Sequence, residues 1–351
     1  MSNNKDLSFQ ALRGIAIIAV VAIHASNRGK LFIHDDLFSL NYELTLIFRE
    51  FINYAVAIFI FISGYFAPTN YFSQVSDYLI FYKKRLTRLL IPYLFWCFFI
   101  ILFLKSAYNW NLFKIFINIT TGRVEGPYYF IIVLTQLIVL TPFLISSIKS
   151  IAKSILWLSL TPLTVVVLYF SELYFKHEIN FPWNAISFST WMTFYYFGML
   201  AKNYKKIIYF GETRIGTVIF LYIASLFFSI IESLYLYKVF KADDLAGSQL
   251  KISSILYSFC LILLFISLRK RIKFWPKILV ILGEFSFGIY LIHILVLEVI
   301  ESLINKIEII YNFNLLCIFI ATFSTIFICY TIIYITRKLI GVRISQKYLG
   351  F

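Results

Sequence analysis

Charge, cysteine and glycine motifs are scarce in this chain of 351 residues, and each scarcity excludes a class of protein. Only 14% of residues are charged, 61% are hydrophobic and the mean hydropathy is +0.84, which excludes a water-soluble globular domain. The four cysteines form no Cys-x-x-Cys pair and no Cys/His spacing, so we expect packing residues and neither disulfides nor a metal site. The chain has no Walker or dinucleotide-binding glycine pattern, no internal repeat and no long polar linker. We therefore expect residues 1–351 to form one integral-membrane domain.

Apolar runs close to the length of a bilayer crossing recur along the chain between short polar segments. This pattern predicts an all-α, polytopic membrane protein, because lipid cannot satisfy the backbone polar groups of other open structures. We expect the first run to be a retained helix, since it lacks the small-residue cleavage site of a signal peptide. The ten predicted transmembrane helices cover residues 8–25, 45–66, 89–104, 128–146, 154–173, 187–201, 215–237, 252–268, 279–300 and 313–336.

The distribution of basic residues predicts the orientation of these spans. With the N-terminus inside, the cytoplasmic segments hold 20 of the 32 lysines and arginines and three acidic residues. The outward loops hold ten basic and ten acidic residues. Because short cytoplasmic loops collect Lys and Arg, we expect both termini in the cytoplasm. This asymmetry also explains the net charge of +15, so no nucleic-acid partner is expected.

Two histidine-bearing spans carry the first candidate site. Arg13 and His24 lie eleven residues apart in the first span, and a continuous helix would put both on one face, about 16 Å apart along its axis. Ionisable groups within a membrane span usually line a polar path, so the pair is a candidate functional site. In the ninth span, Ser286, Tyr290 and His293 recur along one face. We expect His293 at a depth close to that of His24, and the alternative for either is a simple hydrogen-bonded contact between helices.

The cytoplasmic side carries the second set of candidates. Arg85 and Arg88 are one helical turn apart, and two guanidiniums so arranged suit a phosphorylated ligand. The alternative, which charge alone favours, is an anchor on lipid headgroups. Ser63 and Gly64 lie at the inner end of the second span, where small residues permit either close helix packing or close approach of a ligand.

Arg49 and Glu50 are adjacent near the outer end of the second span. We expect their side chains to snorkel to the membrane interface, because long charged side chains near a helix end can reach the headgroups. We assign them no chemistry.

In this order, the motifs resemble those of the integral-membrane acyltransferase-3 family, which includes the O-acetylases of O-antigen and other surface polysaccharides. Arg13 and His24 match its Arg-x10-His pattern in the first helix, and residues 59–65 are similar to its FFxISGF segment. Residues 85–88 match its cytoplasmic RxxR, and residues 286–293 are similar to the motif of its ninth or tenth span.

The resemblance implies an acetyl-CoA-dependent, membrane-bound O-acyltransferase of the bacterial cytoplasmic (inner) membrane. The acyl-CoA donor would enter from the cytoplasm, and the acceptor would be a hydroxyl of a surface polysaccharide or of its lipid-linked precursor on the outer side. Under this resemblance Arg85 and Arg88 would hold the phosphates of CoA. Arg13 would help to hold the donor, and Ser63 and Gly64 would allow close approach of its arm.

The resemblance also implies roles for the outer residues. His24 would act as general base on the sugar hydroxyl or as a transient acyl carrier. Tyr290 and His293 are candidates for orienting His24 or stabilising the developing oxyanion. The alternative function is an exporter or flippase of a glycan or lipid-linked glycan, in which the same charges would form a translocation path.

Overall fold

The chain is almost entirely helical in the computed structural model, which describes residues 6–27, 40–69, 74–104, 111–175, 179, 182–304, 306–307 and 313–351. Helix accounts for 85% of the structure, and no strand occurs among the described residues. The predicted all-α fold class is therefore confirmed.

The helices follow one another with short connections. In chain order they are α1 Leu7–Asn27, α2 Leu40–Ile52, α3 Ala55–Tyr65, α4 Val75–Phe99, α5 Leu112–Thr120, α6 Tyr129–Ser147, α7 Ile151–Phe175, α8 Met192–Asn203, α9 Lys205–Thr213, α10 Ile215–Tyr235, α11 Asp243–Ala246, α12 Ile252–Leu268, α13 Lys277–Ile304, α14 Asn314–Ile340 and α15 Val342–Ile344. Short π-helical turns, Ile100–Leu104, Leu236–Phe240 and Ser345–Leu349, extend α4, α10 and α15.

Eight helical segments of the described chain are long and apolar enough to cross a membrane, and each coincides with a predicted span. The other two predicted spans correspond to shorter helices, α8 with 12 residues and α12 with 17. The third span begins earlier than predicted, because α4 starts at Val75 and includes the basic segment 83–88. The cytoplasmic position of both termini stays a prediction.

The chain forms two compact units, each assembled from stretches that are distant in sequence. The first comprises Met1–Phe59 and Lys205–Tyr334, and the second comprises Ile60–Tyr204 and Ile335–Phe351. That residues 1–351 act as one domain stays a prediction. In the first unit α1 packs along α13, and α10 packs along both α2 and α12. In the second unit α4 packs against α6, and α7 against α8.

The second span of the first unit is interrupted at Asn53 and Tyr54, between α2 and α3. Asn53 is buried, and its Nδ2 donates to Glu50 Oε1 at 3.0 Å. The hydroxyl of Tyr257 donates to the carbonyl of Phe51 at 3.4 Å, so one carbonyl at this interruption is satisfied inside the protein.

A proline in the second unit creates a similar requirement. Pro162 lies inside α7 and lacks the N–H that would bond to the carbonyl of Leu158. Thr193 Oγ1 at the start of α8 donates to that carbonyl at 2.6 Å. The backbone N–H of Thr193 in turn donates to Thr161 Oγ1 at 3.0 Å. The carbonyl that Pro162 leaves unpaired in α7 is therefore a point at which α8 is attached to α7.

Candidate active site

A close contact between α1 and α13 frames the predicted histidine site. A Cβ on Gly14 would lie 2.1 Å from the carbonyl oxygen of Leu279, and a Cβ on Gly283 would lie 1.8 Å from the carbonyl oxygen of Gln10. Both positions therefore require glycine unless the backbones move apart. The two helices run in the same direction, because residues farther toward the carboxyl end of α1 are in contact with residues farther toward the carboxyl end of α13.

The rings of His24 and His293 meet beyond the glycine contacts. Their centroids are 5.2 Å apart and their planes are inclined by 51°. His293 is fully buried, and His24 is partly buried. The predicted similarity in depth is therefore confirmed. What the two imidazoles do chemically stays a prediction.

The backbone of Tyr290 fixes the orientation of His293. The Nδ1 atom of His293 lies 2.7 Å from the carbonyl oxygen of Tyr290. A carbonyl only accepts hydrogen bonds, so Nδ1 carries the proton, and in the neutral ring Nε2 carries the lone pair. The rings of Tyr290 and His293 have centroids 5.9 Å apart. The hydroxyl of Ser286 donates to the carbonyl of Gly283 at 2.9 Å, within α13 itself.

Arg13 lies on the same uninterrupted helix as His24. The side chain of Arg13 is partly buried, and α1 is continuous from Leu7 to Asn27, so the predicted alignment of the two residues holds. An apolar cavity of about 180 Å³ borders the other side of α1, where Ile15, Ile18, Ala19 and Ala22 line it. These residues lie roughly opposite Arg13 around the helix, so the cavity is separate from the histidine site.

In the second unit, α3 and α8 cross backbone to backbone. A Cβ on Gly64 would lie 2.0 Å from the carbonyl oxygen of Tyr195, and a Cβ on Gly198 would lie 2.3 Å from that of Phe61. This geometry supports the packing alternative for Gly64. The role of Gly64 toward the arm of a donor stays a prediction, as does that of Ser63, whose side chain is partly buried.

Two cations lie at the carboxyl end of α3. Arg85 Nη2 donates to the carbonyl of Phe66 at 2.5 Å, and Lys202 Nζ donates to the carbonyl of Ala67 at 2.7 Å. Arg88 follows Arg85 by one turn of α4 and is exposed. The sequence marked Lys202 only as one of many cytoplasmic basic residues, because no local motif surrounds it.

Glu50 and Lys251 form a buried ion pair that the sequence did not predict. Glu50 Oε1 lies 2.6 Å from Lys251 Nζ, and both side chains are 0% exposed. The expectation that Arg49 and Glu50 snorkel is therefore wrong. The carboxylate of Glu50 has a cation inside the protein, and Arg49 Nη2 donates to the carbonyl of Gly247 at 2.6 Å.

Further polar groups complete what we call the Glu50 cluster, which comprises Glu50, Asn53, Ser229, Lys251 and Ser254. Besides Lys251, Glu50 accepts hydrogen bonds from Asn53 Nδ2 at 3.0 Å and from the hydroxyl of Ser229. The hydroxyl of Ser254 lies 3.5 Å from Glu50 Oε2. Lys251 Nζ also donates to the carbonyl of Ala246 at 2.8 Å. The only sequence signal of this cluster is the acidic residue in an apolar span.

The four cysteines are buried thiols, in agreement with their expected role in packing. In the described part of the chain, no three His, Cys, Asp or Glu side chains group in a way that could hold a metal ion.

Comparisons with known proteins find similarity to acyltransferases. A family model described as an acyltransferase domain matches residues 6–334. A protein of Bacillus subtilis (strain 168), named "Putative membrane-bound acyltransferase YfiQ", is 26% identical over 306 residues, which cover 80% of this chain and 78% of that protein. No solved structure matches the chain.

Proposed function

The chain belongs to the integral-membrane acyltransferase family, and on this premise we propose that it transfers an acetyl group from cytoplasmic acetyl-CoA to a surface glycan. The acceptor is a hydroxyl of a cell-surface polysaccharide or of its lipid-linked precursor. The enzyme works in the bacterial inner membrane. Family membership supports acyl transfer by a multi-pass membrane protein, and the donor, the acceptor and the particular membrane are the parts that we propose.

The contact between His24 and His293 is the observation that carries this proposal. A ring spacing of 5.2 Å brings together two titratable groups from helices that cross a membrane. Such groups are costly in lipid and usually mark a site of function. The protonated Nδ1 of His293 leaves its Nε2 as the basic nitrogen of the neutral ring, so the pair offers an acceptor of protons. Proton acceptance is what activation of a sugar hydroxyl requires.

The reaction then proceeds in two proton transfers. His24 removes the proton of the acceptor hydroxyl while its oxygen attacks the thioester carbonyl, and a C–O bond forms. The tetrahedral intermediate collapses as the C–S bond breaks, and His24 returns the proton to the departing sulfur of CoA. His293 orients His24 through its accepting Nε2, and Tyr290 stabilises the oxyanion with its hydroxyl. The products are an acetyl ester and CoA thiol, so no net proton is released.

The donor's charged end is bound by guanidiniums. Arg85 and Arg88 hold the phosphates of acetyl-CoA, since a planar guanidinium makes paired, charge-assisted hydrogen bonds to phosphate oxygens. Arg13 helps to hold the donor. Ser63 and Gly64 contact its arm.

The test uses membranes from the source bacterium after deletion of the gene. Purified protein and radiolabelled acetyl-CoA are added, and label is measured in the glycan fraction and in the protein itself. We expect wild-type protein to label the glycan. His24→Ala is expected to lose this transfer by at least about 100-fold, the typical contribution of a positioned general base.

The matched control is Ser302→Ala on α13, because Ser302 is exposed and its hydroxyl bonds only within its own helix. This variant should transfer label at the wild-type rate. An exporter makes a different prediction, since deletion of its gene would remove the glycan from the cell surface. Under our proposal the glycan remains at the surface without acetyl groups. A glycan that is missing from the surface, or label transfer that survives His24→Ala, would contradict the proposal.

A further inference from the structure

Basic side chains from two helices meet at the carboxyl end of α3. Arg85 and Lys202 each use one donor on a carbonyl, Phe66 and Ala67 respectively. Within the described chain, neither cation nor Arg88 has an ion pair with an acidic side chain. Most of their N–H donors are therefore available to an anion.

Neighbouring cations repel one another, so their grouping needs a physical reason. Arg85 and Lys202 bond to consecutive carbonyls, which brings a guanidinium and an ammonium from different helices to the same helix end. Partial burial and the positive charge of Arg85 lower the pKa of Lys202. The partial negative charge of a helix end offsets only about half of one elementary charge. An anion bound between the cations would remove the remaining repulsion.

The packing of α3 on α8 makes this arrangement rigid. Gly64 and Gly198 allow the two helices to cross at backbone contact, and Lys202 lies four residues beyond Gly198 on α8. One turn of α8 therefore fixes the origin of the Lys202 side chain relative to Ala67. Arg88 is exposed and Lys202 reaches the surface, so a solute can approach both.

From this geometry we propose that Lys202 is a further ligand-binding residue, which joins Arg85 and Arg88 in a three-cation site for a ligand with more than one phosphate group. A single phosphate is satisfied by one bidentate guanidinium, whereas three cations on two helices match an extended polyphosphate. The proposal rests on the proposed function, in which that ligand is CoA.

The experiment measures dissociation constants of detergent-purified full-length protein for CoA, inorganic pyrophosphate and pantetheine, which lacks phosphate. Lys202→Met is expected to weaken CoA and pyrophosphate about tenfold, as for one charge-assisted hydrogen bond, and to leave pantetheine unchanged. Lys202→Arg keeps the charge and should stay within about threefold of wild type. Lys202→Gln keeps a hydrogen-bond donor for the carbonyl of Ala67 but removes the charge. Even if this hydrogen bond at the end of α3 matters for folding, Lys202→Gln should therefore weaken CoA and pyrophosphate binding as Lys202→Met does.

Lys205→Met is the matched control, because Lys205 is a nearby exposed lysine with no hydrogen bond to a described residue. It should bind all three probes as wild type does. Equal CoA affinity in Lys202→Met and wild type would overturn the inference, and so would an equal loss in Lys205→Met. If wild type binds pyrophosphate through Lys202 but does not bind CoA, the anion site stands and the proposed donor is wrong. If acetyl transfer is confirmed and Lys202→Gln binds CoA as tightly as wild type does, the proposed function stands and the proposed role of Lys202 is wrong.

Discussion

Removing one partner of the Glu50–Lys251 pair should cost far more stability than removing both. The pair lies in an environment with 0% exposure of either side chain, where an unpaired charge is expensive. The stability cost of an unpaired charge has a ceiling, because the group can instead lose its charge by gaining or releasing a proton. At pH 7 that ceiling is about 4 to 5 kcal/mol for a lysine and about 3 to 4 kcal/mol for a glutamate, from their reference pKa values.

The hydrogen bonds around the pair determine which of the two single variants loses more stability. After Glu50→Gln, Lys251 keeps two neutral acceptors, the carbonyl of Ala246 and the amide oxygen of the new glutamine, but no negative charge, so the loss of stability should approach the lysine ceiling. After Lys251→Met, Glu50 keeps the donors of Asn53 and Ser229, so its loss should be well below the glutamate ceiling. The double variant buries no charge, and we expect it to lose no more than about 1 to 2 kcal/mol.

The four buried cysteines supply the assay. Their exposed fractions are 0 to 5%, so a thiol-reactive fluorophore reports unfolding during a denaturant titration of the solubilised protein. The control is the pair of the exposed Lys238 and the partly buried Glu43, whose nitrogen and oxygen are 2.8 Å apart, and Lys238→Met should cost less than about 1 kcal/mol. The reasoning fails if the double variant loses the sum of the two single losses, or if Glu50→Gln is as mild as Lys238→Met.

Two further predictions use the same assay. Gly64→Ala should cost at least about 1 to 3 kcal/mol, because its Cβ would overlap the carbonyl of Tyr195, whereas Gly216→Ala meets nothing within 4 Å and should gain up to about 1 kcal/mol. Wild-type stability of Gly64→Ala would contradict the backbone crossing. Thr193→Val should cost about 1 to 3 kcal/mol, because it leaves the carbonyl of Leu158 without its donor, and a loss below about 0.5 kcal/mol would mean that another group satisfies this carbonyl.

The elements that the sequence predicted well depend on strong local patterns. Eight of the predicted spans are apolar runs long enough to be recognised by themselves, and all ten correspond to helices in the structure. The similar depth of His24 and His293 also followed from local reasoning, because it depends only on the position of each residue along its own helix. That the two helices pack against each other depends on Gly14 and Gly283, which no pattern linked.

The features that the sequence did not predict all depend on long-range pairing. Glu50 and Lys251 are 201 positions apart, and each is ordinary in its own segment. Snorkelling was the expected behaviour of Glu50, because the partner that makes its burial tolerable is invisible from α2 alone. The contact of Lys202 with the end of α3 was missed for the same reason, because the residues near Lys202 in the sequence do not indicate it.

The glycine contacts between α1 and α13 control the positions of the two imidazoles from a distance. Each imidazole lies ten residues beyond its glycine, His24 beyond Gly14 and His293 beyond Gly283, which corresponds to an arm of about 15 Å. A change of about 4° in the crossing angle at this pivot would move a ring by about 1 Å. The separation of the imidazoles therefore depends on the glycine contacts about 15 Å away. A single methyl group added at either glycine would change the distance between the rings.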